Sequence, residues 1–204
     1  MHQFHPLCEI HVALRIEAFS QEMPGSKEMG LDCANRYREE VSHLFTGLTS
    51  DGVWLWQMAG HPKRIRVIDP ADGHIVREIG LGEHAEWMGG LFVDGTSYWL
   101  GPEQEGMIEQ HSLEDNTVLA SFGVVPSAEG ITIIGSTLWY TSYRQRLLAA
   151  VDLRTGQERQ RYRLPGDPTG MCWDGARLWY CDYMHRQLCA VQLPVLKNAA
   201  ISSS

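Results

Sequence analysis

The chain has 204 residues, 44% of them hydrophobic and 21% charged, values typical of a soluble globular protein that is long enough to bury a core. Its net charge of −8, without a cluster of Lys and Arg, argues against a nucleic-acid partner. No apolar run approaches the roughly 18 residues of a membrane span, so we expect no membrane partner either.

The first predicted element is a strand at residues 8–19, CEIHVALRIEAF, which has strand-like composition. The N-terminus lacks the basic start, continuous apolar stretch and small-residue cleavage site of a signal peptide. The five cysteines include no close-spaced pair, so we expect reduced thiols in a cytoplasmic protein. Cys172, Cys181 and Cys189 fall in predicted strands, where we expect them to be small buried hydrophobic residues.

Residues 20–45 do not fit the pattern that follows and form a predicted insertion. The segment from 26 to 45 indicates a short helix, with Tyr37, Val41 and Leu44 on one face. Loops of this length are usually functional or disordered. We interpret the insertion as a cap over one mouth of the fold, with a structural plug as the alternative.

From residue 46 onwards the chain repeats with a period of about 40 residues. Four tryptophans mark the units: Trp56, Trp99, Trp139 and Trp179. A glycine stands nine residues before each of them, and another stands four residues before it. A turn residue, Gly73, Asn116 or Gly156, follows each of the first three tryptophans by seventeen residues.

Each unit contains four short predicted strands. In the third unit these are GITII, TLWYTSY, RLLAAVDL and ERQRYRL, with GS and RTGQ as the tight turns. Four strands in about 40 residues are the blade of a β-propeller. We expect the first strand to open with glycine because backbones crowd near the axis, and the tryptophans to lie between neighbouring blades.

The fourth unit lacks its outer strand, because QLCAVQLP is followed by a segment without a turn glycine. Residues 8–19 can supply that strand from the other end of the chain, which closes the ring and removes a raw edge. We therefore predict an all-β, single-domain propeller of about four blades over residues 1–204. The predicted blades are 46–82, 89–122, 129–165 and 169–193 plus 8–19. An open ring completed by a second subunit, a homo-oligomer, is the alternative.

The phrases GMCWDGARLWYCD and AVDLRTG resemble blades of the bacterial propellers related to virginiamycin B lyase, gluconolactonase and glutaminyl-peptide cyclotransferase. The resemblance covers roughly residues 46 to 193 and implies the blade type. Those relatives usually have five to seven blades, whereas this chain has room for four. No catalytic residue of these families matches a position in this sequence, so the resemblance assigns none.

In a propeller, the loops between blades and the loops joining strands two and three lie on one face, where ligands bind over the axis. These loops hold the histidines, carboxylates and aromatic residues suited to acid–base chemistry and oriented binding. Our candidate catalytic residues are His84, Glu86, Glu129 and His185. Our candidate substrate-binding residues are Trp56, Gln57, His61, Trp87, Glu103, Tyr143, Arg144, Asp182 and Tyr183.

Glu86 and Glu129 lie near the starts of first strands, closest to the axis, where His84 or His185 can pair with them. A histidine beside a carboxylate is held in one tautomer and made more basic, which suits a general base. We therefore expect a small-molecule enzyme of the lyase, cyclase or ring-opening hydrolase type. A non-catalytic small-molecule binder and a protein-interaction scaffold are the alternatives.

The absence of several well-known sequence motifs argues against other kinds of chemistry. The sequence contains no GxxxxGK[ST], GxGxxG or GxSxG motif, which counts against phosphate-cradling, dinucleotide-binding and α/β-hydrolase functions. It also lacks a compact metal-ligand spacing such as HExxH, so we expect no cofactor and no metal site. The candidate residues themselves include groups that suit a divalent cation, and that alternative stays open.

Overall fold

The computed structural model describes residues 10–15, 47–59, 63–81, 88–102, 106–126, 128–185 and 187–191. Sixteen strands lie in this part of the chain, and its described residues include no helix. The predicted helix of residues 26–45 lies outside the described residues. The strands form four antiparallel sheets of four strands each, which are the four blades of a β-propeller.

The four blades follow one another along the chain. Their strands run from the axis outwards in this order: blade one, β2 (Leu48–Ser50), β3 (Leu55–Ala59), β4 (Arg64–Ile68) and β5 (Ile75–Gly80); blade two, β6 (Met88–Asp94), β7 (Ser97–Pro102), β8 (Met107–Ser112) and β9 (Val118–Gly123); blade three, β10 (Ala128–Ile134), β11 (Thr137–Ser142), β12 (Leu147–Asp152) and β13 (Glu158–Arg163); blade four, β14 (Pro168–Trp173), β15 (Leu178–Asp182), β16 (Gln187–Val191) and β1 (Ile10–Arg15).

The N-terminal strand completes blade four, as the sequence predicts. β1 pairs antiparallel with β16, with Ile10 opposite Val191 and Arg15 opposite Gln187, and the register shifts between Val12 and Leu14. This pairing joins the beginning of the chain to the last blade, so β16 is not left as an open edge.

The inner strands β2, β6, β10 and β14 contact one another in succession. The predicted crowding holds at Gly130, because a Cβ there would lie 2.5 Å from the carbonyl oxygen of Thr169 and 2.7 Å from the Cβ of Met171. The predicted crowding is absent at Gly170, where no heavy atom lies within 4 Å of the position that a Cβ would occupy. The first strand of blade four therefore has open space on the side where the other blades are packed.

The described hydrophobic core consists of three clusters, each between consecutive blades. The predicted position of the tryptophans is confirmed for Trp56, Trp99 and Trp139, which are 6%, 3% and 1% exposed and lie in these clusters. Trp179 is only half-buried. A large flat indole buries much apolar area, so these contacts contribute strongly to holding blades together.

An aspartate-to-indole hydrogen bond recurs in three of the blades. The aspartate precedes the first hairpin turn, and its carboxylate accepts the indole N–H five residues later. The pairs are Trp56 with Asp51 at 2.9 Å, Trp99 with Asp94 at 3.2 Å and Trp179 with Asp174 at 2.7 Å. The glycine of this turn is part of the repeat seen in the sequence, whereas the aspartate before it was not predicted.

The turns between third and fourth strands are also built alike. Asp152 accepts hydrogen bonds from the backbone N–H groups of Arg154 and Thr155 at 2.8 and 2.9 Å, while Gly156 takes a positive φ of 69°. Asn116 has a φ of 62° at the matching position of blade two. The predicted turn residues therefore occupy the left-handed conformation that glycine and asparagine tolerate best.

The three described cysteines are free thiols in strands β14, β15 and β16, as predicted. The prediction that all three are buried is wrong, because only Cys189 is buried, whereas Cys172 and Cys181 are exposed. The reason is the side of the sheet that each occupies: Cys189 faces the core between blades three and four, and the other two face away from it.

Candidate functional site

In blades three and four, the described loops that the sequence nominated lie at one edge of the sheets. In each antiparallel blade, the start of the first strand, the end of the second and the start of the third lie at the same edge of the sheet. We call this edge the mouth face. In blades three and four it includes the turns 143–146 and 183–185 and the inter-blade loop 164–167.

Asp182 ends β15 at the mouth face, and its side chain is buried. Its Oδ1 accepts hydrogen bonds from the backbone N–H groups of Asp167 at 3.1 Å and His185 at 3.2 Å. Gly166, with a φ of 70°, passes so close that any Cβ there would collide with the Asp182 carboxylate. The local chain therefore encloses this carboxylate and supplies it with donors.

Burial alone would raise the pKa of the Asp182 carboxyl. The hydrogen bonds from the His185 ring and from the backbone N–H groups of Asp167 and His185 outweigh it, so the pKa lies below the usual value of 3.8. The carboxylate is consequently ionised at neutral pH and acts as a fixed negative charge beneath the turn.

His185 lies over this charge. Its Nδ1 is 2.6 Å from Oδ2 of Asp182, and its side chain is 50% exposed, whereas that of Asp182 is 2% exposed. An ionised carboxylate accepts the Nδ1 proton, so the neutral ring carries its lone pair on Nε2. The arrangement holds the imidazole in one tautomer at a solvent-accessible position.

The neighbouring blade contributes to the same face. Nε of Arg146 lies 3.5 Å from Oδ1 of Asp167, and the carbonyl oxygen of Asp167 accepts the backbone N–H of Tyr183 at 3.0 Å. Arg146, Asp167 and the turn holding His185 are thus linked across the boundary of blades three and four. The flanking side chains Tyr183 and Met184 are 78% and 49% exposed, which places apolar surface beside the imidazole.

The corresponding turn of blade three shows what is particular to blade four. Ser142 stands where blade four has Asp182: its hydroxyl donates to the carbonyl of Pro126 at 2.7 Å and accepts the N–H of Gln145 at 3.4 Å. Capping the turn is therefore a structural task that a serine can perform. Relative to blade three, the charge and the imidazole are additions in blade four.

Tyr143 and Arg144 lie in the blade-three turn at the mouth face. The Arg144 guanidinium is 5.7 Å from the centre of the Tyr143 ring, and its Nε donates to the Tyr143 hydroxyl at 2.9 Å. Arg144 is exposed and Tyr143 half-buried. The pair offers a cationic and aromatic surface next to the linked turns.

Glu129 lies on the innermost strand of blade three, β10. It occupies the irregularity between Ala128 and Gly130, where the β10–β11 register shifts. Its Cγ is 3.3 Å from the position that a Cβ of Gly89 would occupy, so its half-buried side chain lies against the inner strand of blade two.

Two nominated residues lie elsewhere. Trp56 is in the core between blades one and two, with its N–H bound to Asp51. Gln57 is half-buried on the other side of the same strand, opposite Arg66 on β4. His61, His84, Glu86, Trp87 and Glu103 lie outside the described residues. The predicted convergence of His84, Glu86, Glu129 and His185 therefore stays a prediction.

The structure pairs His185 with Asp182, which the sequence analysis had grouped with the substrate-binding residues. The signal was present: an aspartate at the end of a strand and a histidine three residues later in a four-residue turn is the spacing of a side-chain cap. Arg146 was not predicted either, because its proximity to Asp167 depends on the packing of two blades.

Among the described residues, one group of ionisable side chains has ligand atoms close enough together for a metal. The ligand atoms of Asp69, Asp72 and His74 lie within 4.8 Å of one another, in the turn between β4 and β5 on the face opposite the mouth. Hydrogen bonds within the turn account for this proximity: Asp72 accepts both the backbone N–H and Nδ1 of His74, at 3.0 and 2.6 Å.

Across the described segments, no helix has the length and apolar character needed to cross a membrane. No family model matches this chain, and no curated protein matches it by sequence.

Solved structures match the fold. A glutaminyl cyclase from Myxococcus xanthus is similar with a TM-score of 0.59 at 14% identity, over 74% of this chain and 72% of that one. Catalytically inactive virginiamycin B lyase from Staphylococcus aureus, a histidine-to-alanine variant with quinupristin, gives 0.51 at 19% identity, over 74% and 53%. The computationally designed Ika4 protein gives 0.51 at 12% identity, over 74% and 92%.

These similarities establish the fold. The chain is a four-blade β-propeller whose structural neighbours include a glutaminyl cyclase and a virginiamycin B lyase, in agreement with the resemblance found in its sequence. It spans 53% of the virginiamycin B lyase and 46% of another neighbour, the designed Ika8 protein.

Proposed function

We propose that the protein is a small-molecule enzyme of the lyase, cyclase or ring-opening hydrolase type, with its site on the mouth face of blades three and four. The observation that carries the proposal is the contact of 2.6 Å between the half-exposed His185 ring and the buried Asp182 carboxylate. This is the geometry of an oriented general base.

The role of each group follows from its chemistry. Nε2 of His185 accepts a proton from the substrate, and the Asp182 charge stabilises the imidazolium that forms. Arg144 orients a carboxylate or carbonyl oxygen of the substrate. Tyr183 and Met184 cover an apolar part of it. Glu129 serves as a second carboxylate nearer the axis.

Close packing of the inner strands supports a site above the axis. At Gly130 the inner strands of blades three and four approach within the distance of a single Cβ atom, so a ligand has no room between them at that level. In blades three and four, the mouth face carries the exposed side chains of Arg144, Tyr183 and His185. Two neighbours of this fold are enzymes by name, which favours a catalytic function for this protein.

A second function, a non-catalytic small-molecule binder, is favoured by one observation: the adjacent side chains Tyr183 and Met184 are both exposed at the mouth face, and Tyr183, at 78%, is the most exposed large hydrophobic residue among those that the structure describes. Under that function the His185–Asp182 pair caps the turn, as Ser142 does in blade three, and no proton moves.

The two functions are distinguished by variants that copy blade three into blade four. His185→Gln installs the residue found at Gln145, and Asp182→Ser the residue found at Ser142, so both turns have a precedent in this fold. Wild type and variants would be assayed on a peptide with N-terminal glutamine, on quinupristin and on a sugar lactone. We expect turnover of one substrate, with kcat about 100-fold lower in His185→Gln.

Gln145→Ala is the matched control, since it alters the equivalent blade-three position, and it should keep full activity. Full turnover in His185→Gln would contradict the catalytic proposal. Binding of a substrate without turnover by wild type, unchanged in His185→Gln, would establish the binder instead.

A further inference from the structure

Two cysteines, Cys172 and Cys181, lie on the side of the blade-four sheet that faces away from blade three. Cys172 on β14 is paired with Trp179 on β15, and Cys181 follows Trp179 by two residues. Side chains two apart on a strand, and side chains of paired residues, point to the same side of a sheet. Both thiols are exposed, while Cys189 points to the other side, into the core.

The side chains at the equivalent positions of blade three are buried. Forty residues earlier stand Thr132 and Thr141, which are 3% and 0% exposed because blade four packs on them. The Thr141 hydroxyl donates to the carbonyl of Thr169 at 2.7 Å. In blade four the same side of the sheet carries the half-buried Trp179 and the open space at Gly170, so its two thiols are accessible from solvent.

The register determines what the thiols can do together. Cys172 and Cys181 are diagonal neighbours across β14 and β15, a separation of about 7–8 Å between Cα atoms and somewhat less between Cβ atoms. An unstrained disulfide needs Cβ atoms about 3.5–4.5 Å apart, so direct oxidation is disfavoured. A metal ion that binds both sulfurs through bonds of about 2.3 Å each can bridge cysteines that are farther apart than those of a disulfide.

We propose that Cys172 and Cys181 form a two-sulfur binding site for a soft, thiol-seeking metal ion of the monovalent copper type. Thiolates select such ions over the harder divalent cations that prefer oxygen ligands. Neighbouring residues partly desolvate each sulfur although both side chains remain accessible, and this raises the pKa of both thiols; charge repulsion from Cys181 adds to the effect at Cys172. Binding therefore releases one proton from each sulfur to solvent, and neither sulfur nor metal changes oxidation state.

The test uses the full-length protein with Cys8→Ser and Cys33→Ser, so that the counted thiols are those of blade four. Cu(I) is titrated anaerobically against a chromophoric chelator, and tryptophan fluorescence is recorded at the same time. We expect one equivalent of Cu(I) to bind and to quench the fluorescence of Trp179, which is the cross-strand partner of Cys172 and lies two residues before Cys181. Removing either sulfur with Cys172→Ser or Cys181→Ser should weaken binding about 100-fold, because the second contact is lost.

Two control variants separate this site from general copper binding. Cys189→Ser, on the core side of the same sheet, should bind Cu(I) like the parent protein. Trp179→Phe should keep the one-equivalent binding but lose the quenching. Binding that survives Cys172→Ser and Cys181→Ser unchanged, or an absence of stoichiometric binding in a parent protein whose circular dichroism is native, would overturn the proposal. So would a mass loss of two hydrogens on mild oxidation that depends on both cysteines, since it would place the sulfurs within disulfide distance.

Discussion

At the scale of single residues, Trp139 differs from the other repeating tryptophans. Its indole N–H is buried and, among the described residues, has no hydrogen-bond partner. The reason lies five residues earlier, where blade three has Ile134 in place of the aspartate that accepts the indole proton in the other blades. A buried donor without a partner costs about 1–3 kcal/mol.

Ile134→Asp should therefore stabilise the protein. The new carboxylate accepts the Trp139 N–H and places an aspartate before Gly135, whose φ of 59° suits an Asp-Gly turn. Ile134 is partly buried against the core, and the loss of that contact offsets part of the gain. We expect the free energy of unfolding in urea to rise by about 1 kcal/mol. The gain should vanish in a Trp139→Phe background; equal gains in both backgrounds would contradict the hydrogen-bond explanation.

The corresponding aspartates of blades one and four, Asp51 and Asp174, have lowered pKa values and make stability depend on pH. Burial acts to raise the pKa of Asp51, but hydrogen bonds from the backbone N–H groups of Trp54 and Val53 and from the Trp56 indole outweigh it and lower the pKa. A lowered folded-state pKa gives stability that is present above the unfolded value, about 3.9, and is lost as the pH falls through the folded value.

Asp51→Asn should accordingly be less stable than wild type at pH 7 and lose less stability on acidification. Urea unfolding at pH 7, 4, 3 and 2 measures both effects, and the two proteins should approach each other below pH 4. A difference in stability that stays constant across this range would show that the charge of Asp51 contributes nothing.

At the scale of strands and turns, the inner strand differs between blades three and four. Gly130 has no room for a side chain, whereas Gly170, at the equivalent position, has open space. The difference arises because blade four packs on the side of blade three where Gly130 lies, whereas the equivalent side of blade four, which faces away from blade three, is more open at Gly170.

The pair supplies a matched experiment. Gly130→Ala should lower the free energy of unfolding by about 1–3 kcal/mol, since Thr169 and Met171 must shift to admit the methyl group. Gly170→Ala should change it by less than about 0.5 kcal/mol. Chemical denaturation of both variants gives the comparison, and equal effects would mean that the inner strands are not closely packed at Gly130.

At the scale of the whole molecule, the fold depends on joining its two ends. β1 supplies the outer strand of blade four, so residues at the beginning of the chain hydrogen-bond with residues 187–191. Such a contact has a large sequence separation, and it protects the edge of β16.

Removing residues 1–15 should therefore lower the melting temperature and promote aggregation, whereas removing residues 1–9, which spares β1, should have little effect. Differential scanning calorimetry and light scattering measure the two outcomes. A synthetic peptide of residues 8–19 should restore the melting temperature of the longer truncation; equal stability of both truncated proteins would show that β1 is dispensable.

Parts of the site could be predicted from the sequence because they depend on the order of strands and turns along the chain. Asp182, Tyr183 and His185 were nominated since a turn between the second and third strands of a blade must lie at the mouth. The Asp182–His185 contact was missed because it depends on which way two side chains point within that turn. The exposure of Cys172 and Cys181 was missed because it depends on what covers one side of the last blade.

The sequence by itself determined the repeat, the number of blades and the closure by the N-terminal strand. These follow from periodic turn residues and alternating apolar positions, which act over a few residues and recur in each unit. Only the tertiary structure decided which tryptophans are buried, which inner glycines are crowded and which histidine meets a buried carboxylate. Those properties arise between segments far apart in the chain, where identical local patterns meet different neighbours.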